Sequence, residues 1–111
     1  MSIELSKPEK KIAREIIDKG LQKEVADNLL IADSILSDWR NHTKNNMDTY
    51  HALYRHMREF DKQIAWRYDN MSGSNYLLII IGQLRDGVIQ ESDLQGFSEE
   101  LLERIKVSLK L

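Results

Sequence analysis

Cysteine is absent from this 111-residue chain, and proline and glycine are scarce. Without a thiol, the chain has no disulfide, no thiolate metal site and no cysteine nucleophile. One proline and five glycines leave few breaks in the backbone, which favours long helices over many short strands. The charge is nearly balanced, with 16 basic and 18 acidic side chains, so the overall basic field typical of nucleic-acid binding is missing.

Long apolar runs are also absent. The longest, Tyr76 to Ile81, is far shorter than the ~20 residues that cross a bilayer, and the first residues lack the basic and apolar regions of a secretory signal. We therefore predict a cytoplasmic protein with no membrane partner.

What remains is a globular composition, with 31% charged and 41% hydrophobic residues. A chain of this length is typical of one domain with its own core. We predict a single all-α domain over residues 1–111, with four to five helices in bundle-like or orthogonal packing. Residues 1–5 are expected to form a short flexible N-terminus.

The first half of the chain predicts two helices. Ser6 and Glu9 have the spacing of a capping box that starts the first helix, and Gly20 is expected to end it in a left-handed conformation. The second helix runs from about Leu21 to Asn41. One apolar face is expected along it, formed by Leu21, Val25, Leu29, Ala32, Leu36 and Trp39.

The second half predicts a third helix over about residues 47–69, capped by Asn45 or Asn46. Its expected buried face consists of Tyr50, Leu53, Met57, Phe60 and Ile64. The run from Tyr76 fits a buried strand or a buried helix, and we predict the helix because a lone strand would leave its backbone groups unpaired. Ser98 is expected to cap a last helix.

The stretch LRDGVIQESDL, from Leu84 to Leu94, resembles the second half of an EF-hand calcium loop. With Gly87 at the sixth loop position, Ile89 takes the aliphatic eighth position, as in that family. The first and third positions are then Gly82 and Leu84, which carry no side-chain oxygen, and the twelfth is an aspartate instead of the long glutamate. Since calcium needs six to eight oxygen ligands, we predict a turn and no metal site.

Catalytic side chains are sparse. His51 and His56 are five residues apart, which places them on different faces of a helix. Asp61 is expected at the edge of the buried face, paired with Arg58. A small enzyme with a site near Asp61 and His51 is the third of our functional hypotheses. We predict no cofactor and no enzymatic activity.

Two surfaces are candidates for binding a partner. A basic stripe is formed on the third predicted helix by His51, Arg55, Arg58 and Lys62, and Trp66 extends it. Its alternative interpretation is a solvated face, balanced by Glu59 pairing with Arg55 and Lys62.

The second surface lies on the second predicted helix, where Leu30, with Ala26 near it, points away from the predicted apolar face and Ile31 lies to one side. A helix that is apolar on two sides is sandwiched either within its own bundle or against another chain. The leading hypothesis is accordingly a non-enzymatic interaction or adaptor protein, with a protein partner or a homodimer. The alternative is a nucleic-acid-associated regulator that uses the basic stripe.

Overall fold

The computed structural model describes residues 4–110. Within that range it contains four α-helices, one short 3₁₀ turn and no strand, so the predicted all-α fold is confirmed. The helices are α1 (Lys7–Arg40), α2 (Asn46–Tyr68), α3 (Tyr76–Arg85) and α4 (Glu99–Leu109), and the 3₁₀ turn is Glu91–Leu94. The stretch from Tyr76 that fitted either a strand or a helix is helical.

The predicted helix starts are confirmed by their hydrogen bonds. The backbone N–H of Ser6 donates to Glu9 Oε1 over 2.9 Å, and the Glu9 N–H donates to Ser6 Oγ, which is the predicted capping box. Asn45 caps α2 by accepting from the Asp48 N–H over 2.8 Å. Ser98 caps α4 in the same way. Side chains adjacent in sequence therefore fix three of the four helix starts.

The predicted helix end at Gly20 is wrong, because α1 runs through this residue without interruption. A Cβ at position 20 would lie 2.3 Å from Gln83 Nε2 and 3.0 Å from Ile89 Cγ2. Gln83 is fully buried, and its amide donates to the carbonyl oxygen of Ile17 over 3.1 Å. Glycine is therefore required here for close packing between α1 and α3, and the two shorter helices predicted from the sequence are one.

We expect Gly20→Ala to destabilise the protein by about 1–3 kcal/mol, because overpacking and displacement of the buried Gln83 amide outweigh the gain in helix propensity. Urea unfolding measures this difference. In a Gln83→Ala background only Ile89 Cγ2, 3.0 Å away, still crowds the added methyl group, so the same substitution should cost clearly less. An equal cost in both backgrounds would contradict the packing argument.

The described chain forms two compact units, and α1 contributes to both. Unit 1 consists of residues 4–23 and 70–110, and α3 packs against α4 within it. Its core contains three fully buried isoleucines, Ile17, Ile80 and Ile105. Leu5 is buried in this unit, while residues 1–3 of the expected flexible N-terminus lie outside the described range. The single domain over the whole chain stays a prediction.

The segment after α3 is a turn, as predicted. Gly87 has a φ of +70°, a left-handed conformation that glycine adopts without strain, and Ile89 returns to the core. Asp93 accepts from Lys19 and from the Gln90 N–H, and these bonds lower the pKa of its carboxyl below the ordinary value of an aspartate. A carboxyl whose pKa is lowered by folding stabilises the fold above its unfolded pKa. That contribution is lost as the pH falls through the lowered value.

Unit 2, residues 24–69, is a helical hairpin formed by the C-terminal part of α1 and by α2. The two helices are joined by a buried ion pair in which Arg67 Nε lies 3.0 Å from Glu24 Oε1, with both side chains less than a tenth exposed. The Tyr68 hydroxyl donates to the same oxygen over 2.7 Å. Further along the hairpin, His56 Nε2 lies 3.1 Å from the carbonyl oxygen of Asn28. These polar contacts fix how α2 lies along α1.

Candidate functional site

Large apolar side chains are exposed mainly in unit 2. Twelve such side chains are exposed between residues 4 and 110, and nine of them belong to residues 24–69. A monomeric protein seldom leaves so much apolar surface on one small unit without a use for it. The hairpin is therefore the candidate interaction surface of this chain.

The most regular part of this surface is a row on α2, which we call the α2 stripe: Met47, Tyr50, Tyr54 and Met57. Their exposed fractions are 61%, 61%, 58% and 39%. The spacings of three, four and three place them within an arc of about 80° around the helix. The rings of Tyr50 and Tyr54 stack with their centroids 6.5 Å apart. Spacings that alternate between three and four are those of a seam between paired helices.

The α2 stripe corrects the sequence prediction. Tyr50 and Met57 were expected in the buried face, but α2 turns a different side toward α1, on which Thr49, Phe60 and Arg67 are buried. That side lies about 110° around the helix from the stripe. In a two-helix hairpin each helix has only one neighbour, so a second apolar side stays uncovered.

The same correction applies to α1. Ala32 is buried as predicted, but Leu29 and Trp39 of the predicted face are exposed. Leu29 lies on the same side of the hairpin as Tyr50 and Met57. Each of these residues is rotated by roughly a quarter turn from the side of its helix that faces the other helix, and in two antiparallel helices this rotation points in the same direction. The α2 stripe and Leu29 therefore form one apolar face that spans both helices.

The opposite side of the hairpin carries a cavity of about 500 Å³. Ile35, Asp38, Lys44, Asp48, Thr49, His51, Ala52 and Arg55 line it. Its charges nearly cancel, with two carboxylates against two permanent cations and one histidine. One of the carboxylates, Asp48, already accepts from the Asn45 side-chain amide over 3.0 Å. The cavity brings together His51 and Arg55 of the predicted basic stripe. Its lining does not contain a set of catalytic groups that converge on one substrate atom.

The predicted basic stripe is exposed along the outer side of α2 and includes the large, mostly exposed ring of Trp66. Lys62 lies 3.9 Å from Glu59, as the solvated interpretation expects. For Arg55 and Arg58, no carboxylate of the described chain lies within ion-pair distance. Glu59 therefore balances only one of the two cations assigned to it.

The predicted apolar partner residues on α1 are all exposed, but they do not form one patch. Leu30 is 67% exposed and lies with Ala26 on the outer side of α1. Ile31 is turned toward the cavity side of the hairpin. These positions are compatible with partner contacts, and their role stays a prediction.

Asp61 does not lie at the edge of the buried face, where the sequence predicted it. Asp61 is exposed, and the expected ion pair with Arg58 is not formed within the described residues. Asp61 and His51 are ten residues apart on one helix, about 15 Å along its axis, so α2 does not bring them to one site. Between residues 4 and 110, no three histidine, aspartate or glutamate side chains are close enough to hold a metal ion.

Two members of the α2 stripe, Tyr50 and Met57, were visible in the sequence as apolar positions but were interpreted as core. The sequence feature that indicates an exposed stripe is the presence of two neighbouring apolar rows on α2, because a helix that packs against a single neighbour buries only one row. Periodicity alone predicted an apolar side; which of two overlapping rows would be buried depends on the Glu24–Arg67 pair, which joins distant residues.

The fold of this chain is similar to that of a solved structure. No family model matches the chain, and no curated protein matches it significantly. Among solved structures, the chain is similar to an arginine-to-lysine mutant of the Fluorescence Recovery Protein from Synechocystis sp. PCC 6803, with a TM-score of 0.77 and 20% sequence identity. The match covers 96% of this chain and 99% of the other. At this identity the likeness establishes the fold alone.

No helix between residues 4 and 110 combines the length and hydropathy needed to span a membrane.

Proposed function

We propose that this chain is a non-enzymatic regulatory or adaptor protein that works through protein contacts and associates with a second copy of itself. The observation that carries the proposal is the exposed apolar face of the hairpin, formed by the α2 stripe and Leu29. The fold that the chain shares with the Fluorescence Recovery Protein is consistent with this proposal.

The area of the face fits a second copy. From the exposed fractions of its five side chains, the face offers about 600 Å² on each copy, so that pairing removes about 1,200 Å² from water, the lower limit for specific interfaces. Two hairpins that meet through this face give a four-helix arrangement, in which each helix gains a second neighbour that it lacks within a single hairpin.

The spacing of the stripe also fits a like helix. A seam with alternating spacings of three and four packs against a seam of the same kind, and a symmetric pair uses the same surface twice. The four stripe residues carry no charge, so two copies meet without repulsion between them.

Sedimentation velocity of the full chain over a wide range of protein concentrations tests this proposal. We expect a reversible equilibrium between monomer and dimer, with a dimer at the highest concentrations. A monomer over the whole range would refute self-association through this face.

The basic stripe favours a second candidate, a nucleic-acid-associated regulator, because Arg55 and Arg58 are exposed and no carboxylate among residues 4–110 pairs with them. Binding through these cations should weaken steeply as salt increases, and flat salt dependence would exclude it. The cavity lined by His51 and Arg55 also carries two carboxylates, and the net charge of −2 opposes this function, so we place it second. The cytoplasmic location stays a prediction.

A further inference from the structure

Asp61 interrupts the apolar row on α2. It follows Met57 by four residues, and Ile64 and Tyr68 continue the same alternation of three and four. Its direction falls in the middle of the arc occupied by the α2 stripe. The row from Met47 to Tyr68 therefore reads Met, Tyr, Tyr, Met, Asp, Ile, Tyr, with one charged member.

Nothing in the described chain neutralises this carboxylate. Arg58, one turn earlier, does not come within ion-pair distance, and Lys62 lies near Glu59 instead. Asp61 is exposed, so water solvates it in the single chain. Its solvation is lost only when something covers the stripe.

We propose that Asp61 is the residue that limits the strength of self-association and keeps the dimer dissociable. This inference rests on the proposed function. A second copy on the apolar face removes water from the carboxylate, and a buried carboxylate without a partner opposes burial. A single polar residue in an apolar seam lowers the stability of paired helices in the same way.

Asp61 would instead stabilise the dimer if it found a cation on the second copy. Arg58 lies about 60° around the helix from Asp61, at the edge of the stripe, so a second copy has a cation within reach of the seam. If Asp61 paired with the Arg58 of the second copy, its removal would weaken the dimer. The sign of the change in affinity therefore separates the two roles.

The test compares Asp61→Leu and Asp61→Asn with the wild type by sedimentation velocity of the full chain. We expect Asp61→Leu to lower the dissociation constant of the dimer by about tenfold or more. Asp61→Asn keeps the shape and a polar group, so it should act in the same direction with a smaller effect. Glu59→Gln is the matched control, because Glu59 is an exposed acid of the same helix on the cavity side, and it should leave the constant unchanged.

An unchanged or higher dissociation constant in both Asp61 variants would overturn this inference while leaving a dimeric wild type intact. Failure of the proposed function looks different, because the wild type and both variants would then stay monomeric at every concentration. Adding Tyr54→Glu to Asp61→Leu should dissociate the higher-affinity dimer. If it does not, the gain comes from a surface other than the stripe and the inference fails.

Discussion

Glu24→Gln is expected to destabilise the chain by about 3–5 kcal/mol, since removing one member of a buried ion pair leaves the other charge uncompensated. Arg67 lies 3.0 Å from Glu24, and both side chains are almost fully removed from water. Glutamine preserves the volume, so the loss measures the charge and not a cavity. The Tyr68 hydroxyl, which donates to the same carboxylate oxygen, loses a charged acceptor as well.

Urea unfolding at one fixed protein concentration measures this loss, because the stability of a dimer depends on concentration. The control is the double substitution Glu24→Leu with Arg67→Met, which removes both charges and should recover most of the stability. Tyr68→Phe removes only one hydrogen bond and should cost less than Glu24→Gln. A Glu24→Gln variant as stable as the wild type would show that the pair does not hold the hairpin.

The parts of the fold that depend on neighbours in sequence were predictable. The Ser6–Glu9 capping box and the caps at Asn45 and Ser98 need only residues within one turn, and all three were predicted. The composition of the Tyr76 segment fitted a strand or a helix, and the lack of a partner strand in the sequence favoured the helix that is observed. Gly20 is different, because its role depends on Gln83 and Ile89, which lie more than sixty residues away. A glycine in an apolar pattern signals a helix end or a close approach, and only the folded structure separates the two.

The candidate site was missed for a related reason. Hydrophobic periodicity assigned Tyr50 and Met57 to the core, which would be correct if other helices of the same chain surrounded α2. In the hairpin α2 has one neighbour, and the side facing it is selected by the buried Arg67. The sequence predicted that α1 is apolar on two sides, from Leu30, and the same property of α2 gives the more continuous face.

Tyr54→Glu is expected to abolish self-association, raising the dissociation constant of the dimer by about a hundredfold or more, because it places an unpaired charge in the middle of the seam. Tyr54 is 58% exposed in the single chain and stacks on Tyr50, one turn earlier. The substitution should leave the fold of the monomer intact, since an exposed glutamate is a good helix former. Sedimentation velocity gives the association state, and circular dichroism confirms that the helices are retained.

Leu30→Glu is the matched control for this prediction. Leu30 is slightly more exposed than Tyr54, but it lies on the outer side of α1, away from the α2 stripe. If the proposed face is correct, Leu30→Glu leaves the dimer intact while Tyr54→Glu dissolves it. If instead Leu30→Glu dissolves the dimer and Tyr54→Glu does not, the second copy binds the outer side of α1. In that case the inference on Asp61 fails too, because α2 would no longer provide the seam that it interrupts.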